Sequence, residues 1–93
     1  MDVKQAIRSA KEYVISLYDE EDITNIGLEE VEFDGLSDHW RVTVGFSRPW
    51  DRVKSTPIPI SDVRRPRSYK LVLINDSDGQ IVSLKDRFLK TSS

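Results

Sequence analysis

The sequence predicts a two-layer α+β fold, with one N-terminal helix packed on a four-stranded antiparallel sheet in the order α-β-β-β-β. Three observations carry this expectation. Apolar residues recur at helical spacing over 3–18, four later segments carry strand patterning, and two of the three links between those strands are short enough for hairpins. At 93 residues, with 38% hydrophobic and 32% charged residues, the chain has enough apolar surface for one such core and reads as a single globular domain over 1–93.

The helix rests on Val3, Ala6, Ile7, Ala10, Val14 and Leu17, which form one apolar stripe, with Lys4, Arg8, Lys11 and Glu12 lying away from it. Asp2 is a good N-cap, and Gln5 three residues later completes a capping box. Asp19, Glu20, Glu21 and Asp22 place negative charge where the helix dipole disfavours it, so the helix ends by Asp19. Asn25 and Gly27 belong to the turn that follows.

The first strand covers 28–34, with Val31 and Phe33 on one face and Glu30, Glu32 and Asp34 on the other. Leu28 falls on the wrong parity, which calls for a bulge or a later start. Asp34-Gly35 with Ser37 and Asp38 is a turn signal. The second strand, 39–47, alternates cleanly, with Trp40, Val42, Val44 and Phe46 set against Arg41, Thr43, Gly45 and Ser47. The Trp40–Phe46 row is the natural partner of the helix stripe. The third strand, 68–74, is apolar on both faces, with Val72 and Ile74 assigned to the face away from the helix. Asn75 to Gly79 forms a hairpin turn, 80–86 is the fourth strand, and 91–93 is a frayed tail.

Residues 48–67 interrupt this meander with a twenty-residue connection that holds all four prolines. Loops of more than about 12–15 residues are uncommon in compact domains and are often functional. Its anchors are Trp50, Arg52, Arg64, Arg65 and Arg67, residue types that dominate the energetics of protein interfaces. The same segment could instead fold back through Val53, Ile58, Ile60 and Val63 to cover the sheet.

Charge is segregated along the chain. Residues 19–40 carry nine acidic and no basic side chains, and residues 41–70 carry eight basic against Asp51 and Asp62. Blocks of one sign either form interaction surfaces or neutralise each other as neighbours in the fold. The overall acidity, with a pI near 5.3, weighs against general nucleic-acid binding.

Chemistry-bearing residues are sparse. The absence of cysteine excludes disulfides, thiolate zinc sites and cysteine nucleophiles. His39 stands alone, Ser37 and Ser47 have no evident base, and four glycines supply no phosphate loop. Glu30 and Glu32 share a strand face where a cation could sit, although a solvated face is the simpler reading. Asp76-Ser77-Asp78-Gly79 imitates part of a calcium loop, but the end positions would fall on Ile74 and Lys85, which cannot close the cage. No apolar run is long enough to span a bilayer, and the opening Met-Asp-Val-Lys-Gln lacks an export pattern.

The segment Tyr69 to Ser83, a strand, an Asp-x-x-Gly turn and a strand, resembles the ending of PepSY-type domains, and the Ala6–Ala10 helix and Trp40–Phe46 strand fit the same order. The resemblance implies a small cystatin-like fold. PepSY domains are typically exported and are proposed to restrain peptidases. The long Pro/Arg connection and the missing export pattern keep that role from transferring, and the resemblance carries over no functional residue.

The sequence thus leads to a non-enzymatic cytoplasmic module that binds a protein partner without cofactor, metal or membrane. Its surface would be the open sheet face and loop 48–67, with Trp50 as apolar anchor and Arg52, Arg64, Arg65 and Arg67 meeting acidic groups. The alternatives are nucleic-acid binding through the same arginines, a small-ligand pocket between helix and sheet, and a homodimer formed through Val72 and Ile74.

Overall fold

The computed structural model describes residues 1–49 and 67–87. Helix α1 spans Val3–Leu17 and is followed by β1 (Thr24–Asp34), β2 (His39–Ser47), β3 (Ser68–Asn75) and β4 (Ile81–Asp86). All neighbouring strands pair antiparallel, in the spatial order β1-β2-β3-β4, with α1 across one face of the open sheet. This is the α+β architecture expected from the sequence.

The start of α1 follows from its capping box. The Asp2 carboxylate accepts the Gln5 backbone N–H at 2.8 Å, and the Gln5 side-chain carbonyl accepts the Asp2 N–H at 2.8 Å. The helix closes with the Tyr18 N–H donating to the Val14 carbonyl. Its buried line is Ala6, Ala10 and Val14, narrower than the expected stripe: Val3 is 41% and Leu17 51% exposed. Two alanines at i, i+4 let the backbone approach the sheet closely, so only a thin strip of the helix touches it. Opposite them lie Val42, Val44 and Phe46 of β2 with Val72 and Ile74 of β3, all fully buried.

The start of β1 and the buried face of β3 differ from the sequence reading, and the other boundaries agree to within one residue. β1 begins at Thr24 rather than at 28, because Asn25 and Gly27 lie inside a bulged first half of the strand instead of in a turn. Asn25 adopts φ 57°, which asparagine tolerates, so turn-forming residues here serve a bulge. A second shift, between Leu28 and Glu30, resolves the parity of Leu28: it pairs with Val44 while Val31 pairs with Val42, so both fall on the helix face. β3 presents Val72 and Ile74 to the helix, not away from it. Antiparallel partners share a face, and Val72 lies opposite Val42, Ile74 opposite Trp40. Tyr69, Leu71 and Leu73 therefore take the open face, and Val72 and Ile74, inside the core, are not available to form a homodimer contact.

The hairpins use local carboxylates. Asp34 accepts the Leu36 N–H at 3.0 Å, and Asp38 takes φ 58°. In the second hairpin Asn75 accepts the Ser77 N–H, Asp78 accepts the Gln80 N–H, and Gly79 sits at φ 71°. These bonds account for the Asp-rich turn without a cation. No helix among the described residues is long and apolar enough to cross a membrane.

Candidate functional site

The open face of the sheet is a polar, charge-paired surface. β1 contributes Glu29, Glu30 and Glu32, and cations reach them from three other places. Arg41 on β2 pairs with Glu32 at 3.0 Å. Arg67, just before β3, donates to the Asn25 carbonyl at 2.8 Å and lies 3.4 Å from Glu29. Arg87, just after β4, pairs with Glu30 at 2.7 Å. The backbone N–H of Arg87 donates to the Tyr69 carbonyl, so its side chain must reach across β3 and β2 to meet β1. Three strand spacings amount to roughly 14 Å, about the combined reach of an extended arginine and glutamate. Thr43, opposite Glu30 and Leu71, is only 1% exposed.

Gly45 makes room for one of these pairs. A Cβ there would sit 2.7 Å from Glu29 Oε2 and 3.0 Å from Arg67 Nη2. Among the described residues, Arg41, Arg48 and Arg67 of the basic block thus pair with Glu32, Glu21 and Glu29 of the acidic block.

At the end of the sheet where 48–67 departs and returns, the balance changes. Among the described residues, a recess of about 290 Å³ is lined by Arg48, Arg67, Lys70 and Arg87, by the carboxylate residue Asp86, and by Ser68 and Tyr69. The four cations are positioned by three strands: Arg48 by β2, Arg67 and Lys70 by β3, and Arg87 by β4. Arg48 follows β2, with its guanidinium carbon 4.7 Å from the Tyr18 ring centroid and its Nε 3.5 Å from Glu21. Lys70 lies on the helix face of β3, bonded to Asp86 across the β3–β4 pair and facing the Tyr18 ring. Burial alone would lower the Lys70 pKa, but bonds to Asp86 and the Tyr18 hydroxyl outweigh it and hold the ammonium above its ordinary value. The Lys70 bond in turn keeps the Asp86 carboxyl below the usual carboxylate range.

A second recess, of about 390 Å³, lies at the opposite end of the sheet beside Met1, Arg8, Asp76 and Gly79. Its main carboxylate is occupied: Asp76 accepts the Trp40 indole N–H at 2.8 Å and lies 3.4 Å from the Met1 ammonium. Between α1 and the sheet the space is filled by core side chains.

Of the residues singled out from the sequence, Arg67 lies in the basic recess. Trp50, Arg52, Arg64 and Arg65 lie outside the described residues. Arg48, Lys70 and Arg87 were not singled out. Arg48 and Lys70 belong to the basic block, but Arg87 sits in a charge-balanced stretch, and only β3–β4 pairing brings it to the recess. His39 is at the far end of β2, roughly 30 Å from the recess at the usual rise per residue. Glu30 and Glu32 are both paired with arginine, and among the described residues no group of three His, Cys, Asp or Glu is arranged to hold a metal. No family model, curated protein or solved structure matches the chain.

Proposed function

We propose that this chain is a non-enzymatic binding module for an acidic protein partner, which it meets at the end of the sheet where the 48–67 segment is rooted. The observation that supports this reading is that Arg48, Arg67, Lys70 and Arg87 line one recess, with Asp86 as the one carboxylate among the described lining residues. The open face beside it adds half-buried Tyr69, Leu71 and Leu73 between paired charges, a mixed surface of the kind found at protein interfaces. In this reading Trp50 is the apolar anchor, and Arg52, Arg64, Arg65 and Arg67 meet acidic groups of the partner.

Capture from a cell extract, before and after nuclease, with the chain and a variant carrying Arg64→Ser, Arg65→Ser and Arg67→Ser, tests it. A nuclease-resistant protein lost in the variant is the expected result, and Trp50→Ala then weakens that complex at least about fivefold with folding intact. Recovery of nucleic acid alone overturns the reading. Unfolding of the Trp50 variant assigns that residue to the core instead.

A further inference from the structure

We propose that Glu30 and Glu32 of β1 are internal competitors of the acidic partner: they hold Arg87 and Arg41 across the open face, and an extended partner segment with carboxylates at alternate positions displaces them. This rests on the protein-binding reading above and adds how that surface is regulated.

Strand pairing fixes what lies on this face. Antiparallel partners share a face, so Glu30, Thr43, Leu71 and Lys85 form one rung, and Glu32, Arg41, Leu73 and Ser83 form the next. Arg87 crosses β3 and β2 to reach Glu30, and Arg41 reaches Glu32 on the neighbouring strand. Thr43 lies on the path of the longer bridge and is only 1% exposed, although no helix or strand of the described residues packs on this face. The Arg87–Glu30 bridge is therefore a cover, laid over a short side chain in the middle of the sheet. Leu71 and Leu73 are half-buried beside it.

The bridges are built to exchange. Their carboxylates stand on an edge strand and are 59% and 70% exposed, against 31% and 36% for the arginines, so a displaced glutamate returns to water while the arginine stays on the face. Exposed pairs of this kind are weak, and each one orders two long side chains. Glu30 and Glu32 also show the pattern that satisfies both arginines: carboxylates two residues apart on an extended chain. Lys85, exposed on the Glu30 rung, forms no ion pair among the described residues, so an acidic segment meets an open cation before it displaces anything. Arg67 differs, because its bond to the Asn25 carbonyl holds it with or without Glu29.

Amide NMR titration at constant ionic strength, with a capped peptide that alternates glutamate and serine, tests the competition. Saturable shifts at residues 41, 71, 85 and 87 are expected. The double variant Glu30→Gln, Glu32→Gln should bind about fivefold more tightly. Glu12→Gln with Glu20→Gln removes the same charge from outside the sheet and should change affinity less than about twofold. The variant spectra report folding directly. No gain at Glu30 and Glu32, or an equal gain from the Glu12 and Glu20 pair, overturns the competition. A soluble paramagnetic agent should relax the Thr43 methyl faster in Glu30→Gln than in the parent, and an unchanged rate overturns the cover.

Capture with the Glu30→Gln, Glu32→Gln variant separates the two proposals. Greater recovery of the partner that the parent chain retains supports both. Equal recovery overturns the competition and leaves the protein-binding reading standing. Tighter peptide binding with no protein captured supports competition at the arginines and overturns the protein partner.

Discussion

Gly45 is the residue whose side chain, or lack of one, bears most directly on the site. It lies between Gly27 and Tyr69 in the sheet, and Glu29 and Arg67 meet over it. Gly45→Ala is expected to displace the Glu29 carboxylate and cost about 1 kcal/mol in a denaturant titration. In a Glu29→Ala background the same change becomes neutral or slightly stabilising, because the obstructing carboxylate is gone and alanine reduces the entropy of the unfolded chain. Equal cost in both backgrounds would locate the clash elsewhere. Nothing in the local sequence marks this glycine: alternation put it on the polar face of β2, but not beneath an ion pair between β1 and the segment before β3. Asp76 shows the converse case. It reads as a turn residue and is one, yet it also holds the Trp40 indole from 36 positions away.

Among the elements, α1 is held by few side chains. Val14 is fully buried while Leu17 is half exposed, although both belong to the same apolar stripe in sequence. Val14→Ala is expected to destabilise the fold by about 1–2 kcal/mol, the lost burial being partly offset by the better helix propensity of alanine. Leu17→Ala should stay within about 0.5 kcal/mol of the parent in the same urea titration. Ala10→Leu should cost about 1–3 kcal/mol, since it forces a large side chain into the closest helix–sheet contact. Asp2→Ala removes one half of the capping box and is worth about 1 kcal/mol by the same measurement.

For the molecule as a whole, acid should weaken the fold in a defined window. Three carboxyls are held below their ordinary value of 3.8: Asp34 by the Leu36 backbone N–H, Asp76 by the Trp40 indole, and Asp86 by the Lys70 ammonium. A group whose folded pKa is depressed stabilises the fold fully above its unfolded value and loses that contribution as pH falls through the folded one. The urea midpoint is therefore expected to hold level down to about pH 4 and to fall below it. Asp76→Asn should remove its share of that fall, read by Trp40 emission. Lys70 has the opposite sign: its raised pKa stabilises the fold below about pH 10.5 and is lost only as pH climbs through the raised value. A midpoint insensitive to acid would show that these bonds do not persist in solution.

By itself the sequence determined the element order, the capping box, both hairpin turns and the β2 row that meets the helix. Each of these depends on contacts between near neighbours or on strict alternation within one strand. Tertiary structure decided the rest. It chose which face of β3 is buried, because Val72 and Leu73 are equally apolar and only pairing with β2 breaks the tie. It paired Arg41 and Arg67 of the basic block with Glu32 and Glu29 of the acidic block across the open face, and it brought Arg48, Arg67, Lys70 and Arg87 to the wall of one recess. Those four side chains come from the ends of three strands, and their proximity is a property of sheet register, which no local pattern encodes.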